Sequence, residues 1–141
     1  MNIFVAASYS SQVDYETGEV YPEYKAWLEG ILNTIDGLGH TVFCSLRSDG
    51  YKINDADPVG AYRLDIDEIN KSDAILALLS SKVSAGVQTE IGVAIALNKR
   101  VILAHDTKDE LAWFNAAMLK AGVVTELELP FDESQLEEAL L

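Results

Sequence analysis

The chain has 141 residues, which is the size of one domain and leaves no room for a second catalytic domain. Hydrophobic residues make up 49% and charged residues 23% of it, a composition that indicates a globular protein with a core rather than a disordered chain. The formal net charge of −13 argues against nucleic-acid polymers and anionic membranes as partners, although a local pocket can still accept a small phosphorylated ligand.

The amino-terminal residues and the cysteine content predict a cytoplasmic protein. The segment MNIFVAASYS lacks the basic region of a signal peptide, and no apolar run approaches the length of a membrane span of about 20 residues. Cys44 is the single cysteine and lies in an apolar context, so we expect a buried thiol in a reducing compartment.

The hydrophobic pattern alternates short apolar runs with longer stretches of helical spacing. Continuous short runs are typical of strands buried on both faces of a parallel sheet. The predicted strands are Asn2–Ala7, His40–Ser45, Ala74–Leu79, Arg100–Ala104 and Val123–Leu127. The predicted helices are Pro22–Leu38, Asp57–Lys71, Gly86–Asn98, Lys108–Ala121 and one that begins at Asp132. This order predicts a single α/β domain over residues 1–141, with a doubly wound, flavodoxin-like or Rossmann-like sheet of five parallel strands and helices on both faces.

Two long polar segments, Ser8–Tyr21 and Leu46–Asp57, follow the first two predicted strands. Sheets of this kind bind ligands at the carboxyl ends of their strands, and long loops in compact domains are usually functional. We therefore expect both segments to border a site, with surface decoration as the alternative.

One acidic residue falls on the apolar face of the second predicted helix. Asp65 and Ile69 are four residues apart and share a helical face, whereas Asp67 turns away from it. A solvated acidic surface explains Asp67 but not Asp65, which is therefore a candidate functional carboxylate.

The segment Ser80–Gly92 passes from a buried strand through small residues into a helix. Free backbone N–H groups at a helix N-terminus bind anions, and Ser84 is the best candidate for the N-cap or for a phosphate contact. Glu90 follows in the first turns of the helix, where the macrodipole favours an ionised carboxylate. Such a group suits nucleophilic attack on a sugar carbon, although Glu90 is equally well explained as a favourable residue near a helix start.

The sequence does not support a nucleotide-binding motif of the Rossmann or P-loop type, or a metal site. The sequence has no G-x-G-x-x-G or Walker motif, and His40 and His105 have no partners at metal-ligand spacing. We therefore predict no metal site and no organic cofactor.

The motifs above resemble those of the nucleoside 2-deoxyribosyltransferase superfamily. The resemblance extends from Asn2 to about Met118 and rests on F-V-A-A-S in the first strand, the spacing of Asp65 from Asp73, and T-E-I-G-x-A-x-x-x-x-K from Thr89. Within the superfamily the chain is most similar to cytidine 5'-monophosphate N-glycosidases of the mildiomycin and blasticidin pathways. That similarity rests on V-D-Y-E-T-G, R-L-D-I-D-E-I and S-x-G-x-x-x-E-I-G.

The resemblance implies a role for each matching residue. Glu90 would be the nucleophile on the anomeric carbon, with Asp65 beside it to hold the sugar or assist the leaving base. Ser84 occupies the position at which the transferases have an acid for the free 5'-hydroxyl and the monophosphate hydrolases have a serine for phosphate. Tyr9 joins the catalytic residues, and the implied substrate-binding residues are Ser8, Ser10, Arg47, Ser84, Gly86, Asn115 and Met118.

Two segments depart from the family pattern. The first loop reads A-S-Y-S-S where the family has glycines and an arginine. Phe114–Met118 resembles the element that the family donates to a neighbouring subunit's site, but its spacing leaves open whether Asn115 or Ala116 takes the polar position. The resemblance thus implies a homodimer or higher homo-oligomer with shared sites.

The sequence therefore predicts a hydrolase that cleaves the N-glycosidic bond of a (deoxy)ribonucleoside 5'-monophosphate, with a pyrimidine such as that of CMP as the expected base. The alternatives are a 2-deoxyribosyltransferase that exchanges bases on deoxynucleosides, and a non-catalytic nucleotide-binding module on the same fold.

Overall fold

Five parallel strands form the centre of the molecule. The computed structural model describes residues 1–53, 56–82 and 84–141. The sheet consists of β1 (Asn2–Ala7), β4 (Thr41–Phe43), β5 (Ala74–Leu78), β6 (Arg100–His105) and β7 (Thr125–Glu128), in the spatial order β4-β1-β5-β6-β7. A separate antiparallel pair, β2 (Val13–Asp14) and β3 (Glu19–Val20), lies in the first long segment. The predicted parallel α/β sheet is confirmed.

Helices cover both faces of the sheet because its strands are apolar on both faces. One core cluster joins the sheet to α1 (Pro22–Gly37), α2 (Ser45–Ser48) and α6 (Glu133–Leu140). A second cluster, on the opposite face, joins it to α3 (Pro58–Lys71), α4 (Ala85–Ala96) and α5 (Trp113–Ala121). No helix of the described residues combines the length and apolarity needed to cross a membrane.

Side-chain caps fix the starts of three helices. Asp57 accepts from the Gly60 N–H at 2.9 Å, and a Cβ at Gly60 would lie 2.2 Å from the Asp57 carboxylate, so a larger residue there would displace the capping side chain. Ser84 Oγ caps α4 by accepting from the Val87 N–H at 3.4 Å. Asp132 and Gln135 cap α6 reciprocally, which confirms the predicted capping pair.

The predicted long loops contain more structure than expected. The segment after β1 includes a 3-10 turn at Ser10–Gln12 and the β2–β3 pair, and the segment after β4 begins with α2. Residues 54 and 55 of that second segment, and residue 83 of the predicted anion-binding segment, lie outside the described residues. The predicted helix Lys108–Ala121 begins at Trp113 instead, after a turn in which Asp106 accepts from the Lys108 N–H at 2.9 Å.

Candidate active site

The candidate active site is a cavity of about 250 Å³ at the carboxyl end of β1. The chain leaves β1 beside β4 on one side and β5 on the other, and ligands of open α/β sheets bind at this reversal of strand order. We name this space the central cavity. Of the predicted site residues, those that line it are Tyr9, Ser10, Asp65, Ser84, Gly86 and Glu90.

A pair of carboxyl groups lies in the central cavity. Glu90 projects from α4 between buried neighbours of the same helix, and Asp65 projects from α3 on the same helical face as the fully buried Ile69. The predicted face sharing of Asp65 is thus confirmed, while Asp67 is exposed and pairs with Lys71. Asp65 Oδ1 accepts a hydrogen bond of 2.6 Å from the hydroxyl of Ser45, the first residue of α2.

Both carboxyl groups are harder to ionise than usual. Burial, and then the charge of Asp65, raise the pKa of Glu90 to about 8. Burial also raises the pKa of Asp65, the Ser45 hydrogen bond partly offsets that effect, and the charge of Asp49 adds to it. The expectation that the macrodipole keeps Glu90 ionised is wrong, because Glu90 lies beyond the first turn, where the dipole effect falls off, and is desolvated.

The start of α4 also lines the central cavity. Ser84 and Gly86 line the cavity there, so backbone N–H groups of the first helical turn border it. A Cβ built on Gly86 would approach Ser84 Oγ at 3.9 Å, so the glycine leaves additional space beside the serine. The site therefore combines two carboxyl groups with hydrogen-bond donors at the start of the helix that carries Glu90.

Two further cavities adjoin the central one. The first, here the α3-side cavity, has about 400 Å³ and shares Tyr9, Ser45 and Asp65 with it. The second, here the α5-side cavity, has about 340 Å³ and shares Ser84 and Val87 with it. The carboxyl pair thus lies in the middle of a row of three connected spaces.

The residues that follow β1 are divided among these cavities. Tyr9 lines the central and α3-side cavities, and its hydroxyl donates to the Lys52 carbonyl oxygen and lies 3.4 Å from an Asp49 carboxylate oxygen. Ser10 lines the central cavity, whereas Ser8 is buried and lines the α5-side cavity.

Arg47 does not face the site, which contradicts its predicted role as a phosphate or base contact. Its guanidinium lies against α1 and bonds Glu29 at 3.0 and 3.1 Å, Asp36 at 2.8 Å and Asn33 at 3.2 Å. These carboxylates hold the cation away from the three cavities, none of which it lines. Arg47 instead anchors α2 to α1.

The two predicted residues of α5 differ in their placement. Asn115 is 3% exposed, accepts from Gln88 Nε2 at 2.9 Å and lines the α5-side cavity of its own chain. Met118 packs against the second core cluster and lines none of the three cavities, because its side of α5 faces the sheet.

Cys44 and His105 have the structural roles expected of them. Burial raises the pKa of the Cys44 thiol to about 11, so the buried-thiol prediction is confirmed. His105 is buried and its Nε2 lies 2.8 Å from Glu126 Oε1. Over residues 1–53, 56–82 and 84–141, no three His, Cys, Asp or Glu side chains are grouped so as to hold a metal ion.

Sequence reasoning missed Ser45 and Gln88. Ser45 was placed at the end of a strand, yet it begins α2 and contacts the catalytic candidate Asp65. Its position at the carboxyl edge of the sheet, next to the first strand, is the signal that could have identified it. Gln88 lies one helical turn after Ser84 on α4 and supports Asn115.

The desolvated, half-buried Glu90 predicts a pH-dependent stability. Its pKa is raised from 4.5 to about 8, so between these values the unfolded chain holds fewer protons than the folded one and stability falls as pH rises. Glu90→Gln removes this ionisation. The free energy of unfolding of the variant, relative to that of the wild type, should therefore be higher at pH 9 than at pH 6 by about 2–3 kcal/mol, measured by urea unfolding. The exposed Glu137→Gln is the control, and parallel pH dependences for wild type and Glu90→Gln would contradict the prediction.

The fold and the carboxyl pair indicate the class of protein: a small α/β enzyme whose active site contains the side chains of Asp65 and Glu90. The family model for nucleoside 2-deoxyribosyltransferase matches residues 18–136. A nucleoside deoxyribosyltransferase of Limosilactobacillus fermentum is 30% identical over 148 aligned positions, which cover 96% of this chain and 83% of that protein. The chain belongs to the nucleoside 2-deoxyribosyltransferase family.

Two solved structures share the fold. The CMP N-glycosidase BcmB of Clostridium botulinum superposes with a TM-score of 0.68 at 21% identity, over 99% of this chain and 98% of that one. A 2-deoxyribosyltransferase of Bacillus psychrosaccharolyticus gives a TM-score of 0.71 at 16% identity, over 97% and 90% of the two chains. The resemblance to the nucleoside 2-deoxyribosyltransferase superfamily is confirmed, and the family that the chain matches is one of enzymes.

Proposed function

We propose that the protein hydrolyses the N-glycosidic bond of a nucleoside 5'-monophosphate, with a pyrimidine base such as that of CMP, to the free base and (deoxy)ribose 5-phosphate. The observation that carries the proposal is the placement of Glu90, Asp65 and Ser84 around one cavity of about 250 Å³. Acidic groups suit the cation-like sugar of the transition state, and the hydroxyl and N–H groups at the start of α4 suit an anion.

The row of cavities fits the three parts of a nucleotide. With the anomeric carbon at Glu90, the 5'-phosphate extends toward Ser84 and the start of α4, and the base extends past Asp65 and Tyr9 into the α3-side cavity. Asp49 and Asp57 join Asp65 in lining that cavity, whereas in the α5-side cavity Lys82 accompanies Asp109 and Glu110, so a phosphate is repelled more strongly from the α3 side. Charge thus supports one orientation of the substrate over the reverse.

The reaction uses the proton that Glu90, with its pKa raised to about 8, holds near neutral pH. The proton moves from Glu90 to Asp65, and a Glu90 carboxylate oxygen then bonds to the anomeric carbon as the bond to the base nitrogen breaks. The base receives that electron pair and the Asp65 proton. Asp65 next takes a proton from water, the hydroxide bonds to the anomeric carbon, and Glu90 leaves as a carboxylate. Return of the Asp65 proton to Glu90 restores the starting state.

Ser84 supports a phosphorylated substrate. A hydroxyl and backbone N–H groups stabilise a phosphate dianion, whereas the acid found at this position in the transferases would repel it. The protein's charge of −13 does not oppose this, because the field of a distant surface is screened within about 8 Å at physiological ionic strength.

A second candidate is base exchange between deoxynucleosides. It is favoured by the family match and by the curated relative, which is a deoxyribosyltransferase. The difference between the two activities is the acceptor that resolves the glycosyl-enzyme, which is water in one case and a second base in the other.

We also propose that the active species is a homo-oligomer. Trp113 and Phe114 support this, since they are 82% and 64% exposed and their rings contact each other beside the α5-side cavity. Val59 and Tyr62 provide a second exposed apolar surface on α3.

One chromatographic assay distinguishes the candidates. Purified enzyme is incubated with CMP, UMP, AMP, GMP and their 2'-deoxy forms, and with the matching nucleosides, each with and without an added foreign base. We expect free base and sugar 5-phosphate from a pyrimidine monophosphate, at a rate that the foreign base does not change. Base exchange on unphosphorylated deoxynucleosides would establish the transferase instead, and an unchanged panel would contradict both.

A further inference from the structure

Ser45 is not one of the two carboxyl residues, but its side chain contacts one of them, Asp65. Its hydroxyl lies on the wall shared by the central and α3-side cavities and donates to Asp65 Oδ1 at 2.6 Å, a short distance typical of hydrogen bonds to a carboxylate. The bond joins residues 20 positions apart in the chain, and so connects α2 on one face of the sheet with α3 on the other.

The helix that carries Ser45 is short but firmly held. Arg47, in the same helix, bonds Glu29, Asn33 and Asp36 on α1, and Tyr51 donates a further hydrogen bond to Glu29. These contacts replace the phosphate-binding role expected of Arg47 with a structural one. They restrict α2, and with it the Ser45 hydroxyl, to one position relative to the sheet.

We propose that Ser45 is a positioning residue for the glycosidic reaction: its bond to Oδ1 orients the Asp65 carboxyl and leaves Oδ2 to exchange the proton with Glu90 and the leaving base. This inference rests on the proposed function. A carboxyl has two oxygens, and a donor held on one of them fixes the plane of the group. Without that donor, the Asp65 carboxyl group would rotate, and its proton would lie on either of the two oxygens.

The side chains around Asp65 and Glu90 make the Ser45 hydroxyl important as a hydrogen-bond donor. The titratable side chains that face Asp65 or Glu90 from other elements are Tyr9, Cys44 and Asp49, with Asp57 in the adjoining cavity. None of these four is a cation. The Ser45 hydrogen bond therefore stabilises the ionised form of Asp65 against burial and the negative charge of Asp49.

The test compares Ser45→Ala, Ser45→Thr and Ser45→Cys in the full chain. Alanine removes the donor, threonine keeps the hydroxyl, and cysteine preserves the volume with a weaker S–H donor. We expect kcat of Ser45→Ala to fall about 10- to 100-fold with little change in KM, and Ser45→Thr to recover most of it. Ser72→Ala is the matched control, because it removes a buried hydroxyl bond of 2.7 Å at the other end of α3.

A titration followed by carbon-13 NMR of the Asp65 carboxyl gives a readout that does not depend on turnover. We expect its midpoint to rise by about one pH unit or more in Ser45→Ala, to rise less in Ser45→Cys, and to return toward the wild-type value in Ser45→Thr. The acidic limb of kcat/KM should shift in the same direction.

The outcomes separate the two proposals. An unchanged Asp65 titration in Ser45→Ala overturns the positioning role, and so does an equal loss of kcat in the alanine and threonine variants. A wild type that cleaves no nucleotide but shows the expected titration shift contradicts the proposed function and supports the arrangement of Ser45 and Asp65.

Discussion

Replacing Glu90 by glutamine should reduce cleavage of the nucleoside monophosphate by about a thousandfold or more. The amide has the shape of the protonated side chain but cannot supply a nucleophilic oxygen or release the proton of the pair. Initial rates of base release, measured by chromatography, provide the test. The exposed Glu137→Gln is the matched control and should retain wild-type rates.

This loss should occur without loss of the fold. Glu90 is desolvated and ionises only with difficulty, so its amide variant is expected to be at least as stable as the wild type near pH 8. A variant that is inactive and also more resistant to urea would indicate a residue kept for chemistry at the expense of stability. Retention of more than about a tenth of the wild-type rate by a folded Glu90→Gln would contradict the nucleophile assignment.

Ser84→Asp should reverse the preference between phosphorylated and unphosphorylated substrates. Aspartate is as good an N-cap as serine, so α4 should still form. Its charge would meet the 5'-phosphate, and a like-charge contact of this kind costs several kcal/mol. We expect kcat/KM for the monophosphate to fall about 100-fold or more, while cleavage of the corresponding nucleoside falls much less or rises.

Ser84→Asn is the control for this substitution. Asparagine has the size of aspartate and also caps helices, but it is neutral. It should keep a clear preference for the monophosphate, measured as the ratio of kcat/KM values for CMP and cytidine. Equal ratios in the aspartate and asparagine variants would show that the charge at this position does not select the substrate.

The sequence predicted the sheet well because strands buried on both faces are continuous apolar runs. It predicted helix starts where a capping residue is present, as at Asp57, Ser84 and Asp132. It failed where the determining contact is not periodic. α2 is a single turn inside a polar segment, and α5 begins at Trp113 without a side-chain cap.

The site residues likewise divide into those that the sequence could predict and those that it could not. Asp65 could be recognised because a carboxylate on an apolar helical face has no structural explanation, and its place in the central cavity agrees with this. The orientation of Arg47 could not be recognised, since nothing in the sequence shows that Glu29 and Asp36 on α1 reach it. The protonation of Glu90 likewise depends on burial and on Asp65, which come together only in the folded chain.

The central claim is that Glu90 forms a covalent bond with the sugar, and mass spectrometry of the enzyme during turnover tests it most directly. The enzyme is incubated with a 2'-fluoro-2'-deoxy pyrimidine nucleoside monophosphate, quenched with acid and digested. We predict a mass increase equal to one fluorinated sugar phosphate residue on the peptide that contains Glu90, and none in Glu90→Gln. An adduct on another residue, or base release from this substrate with no adduct on any peptide, would contradict the account.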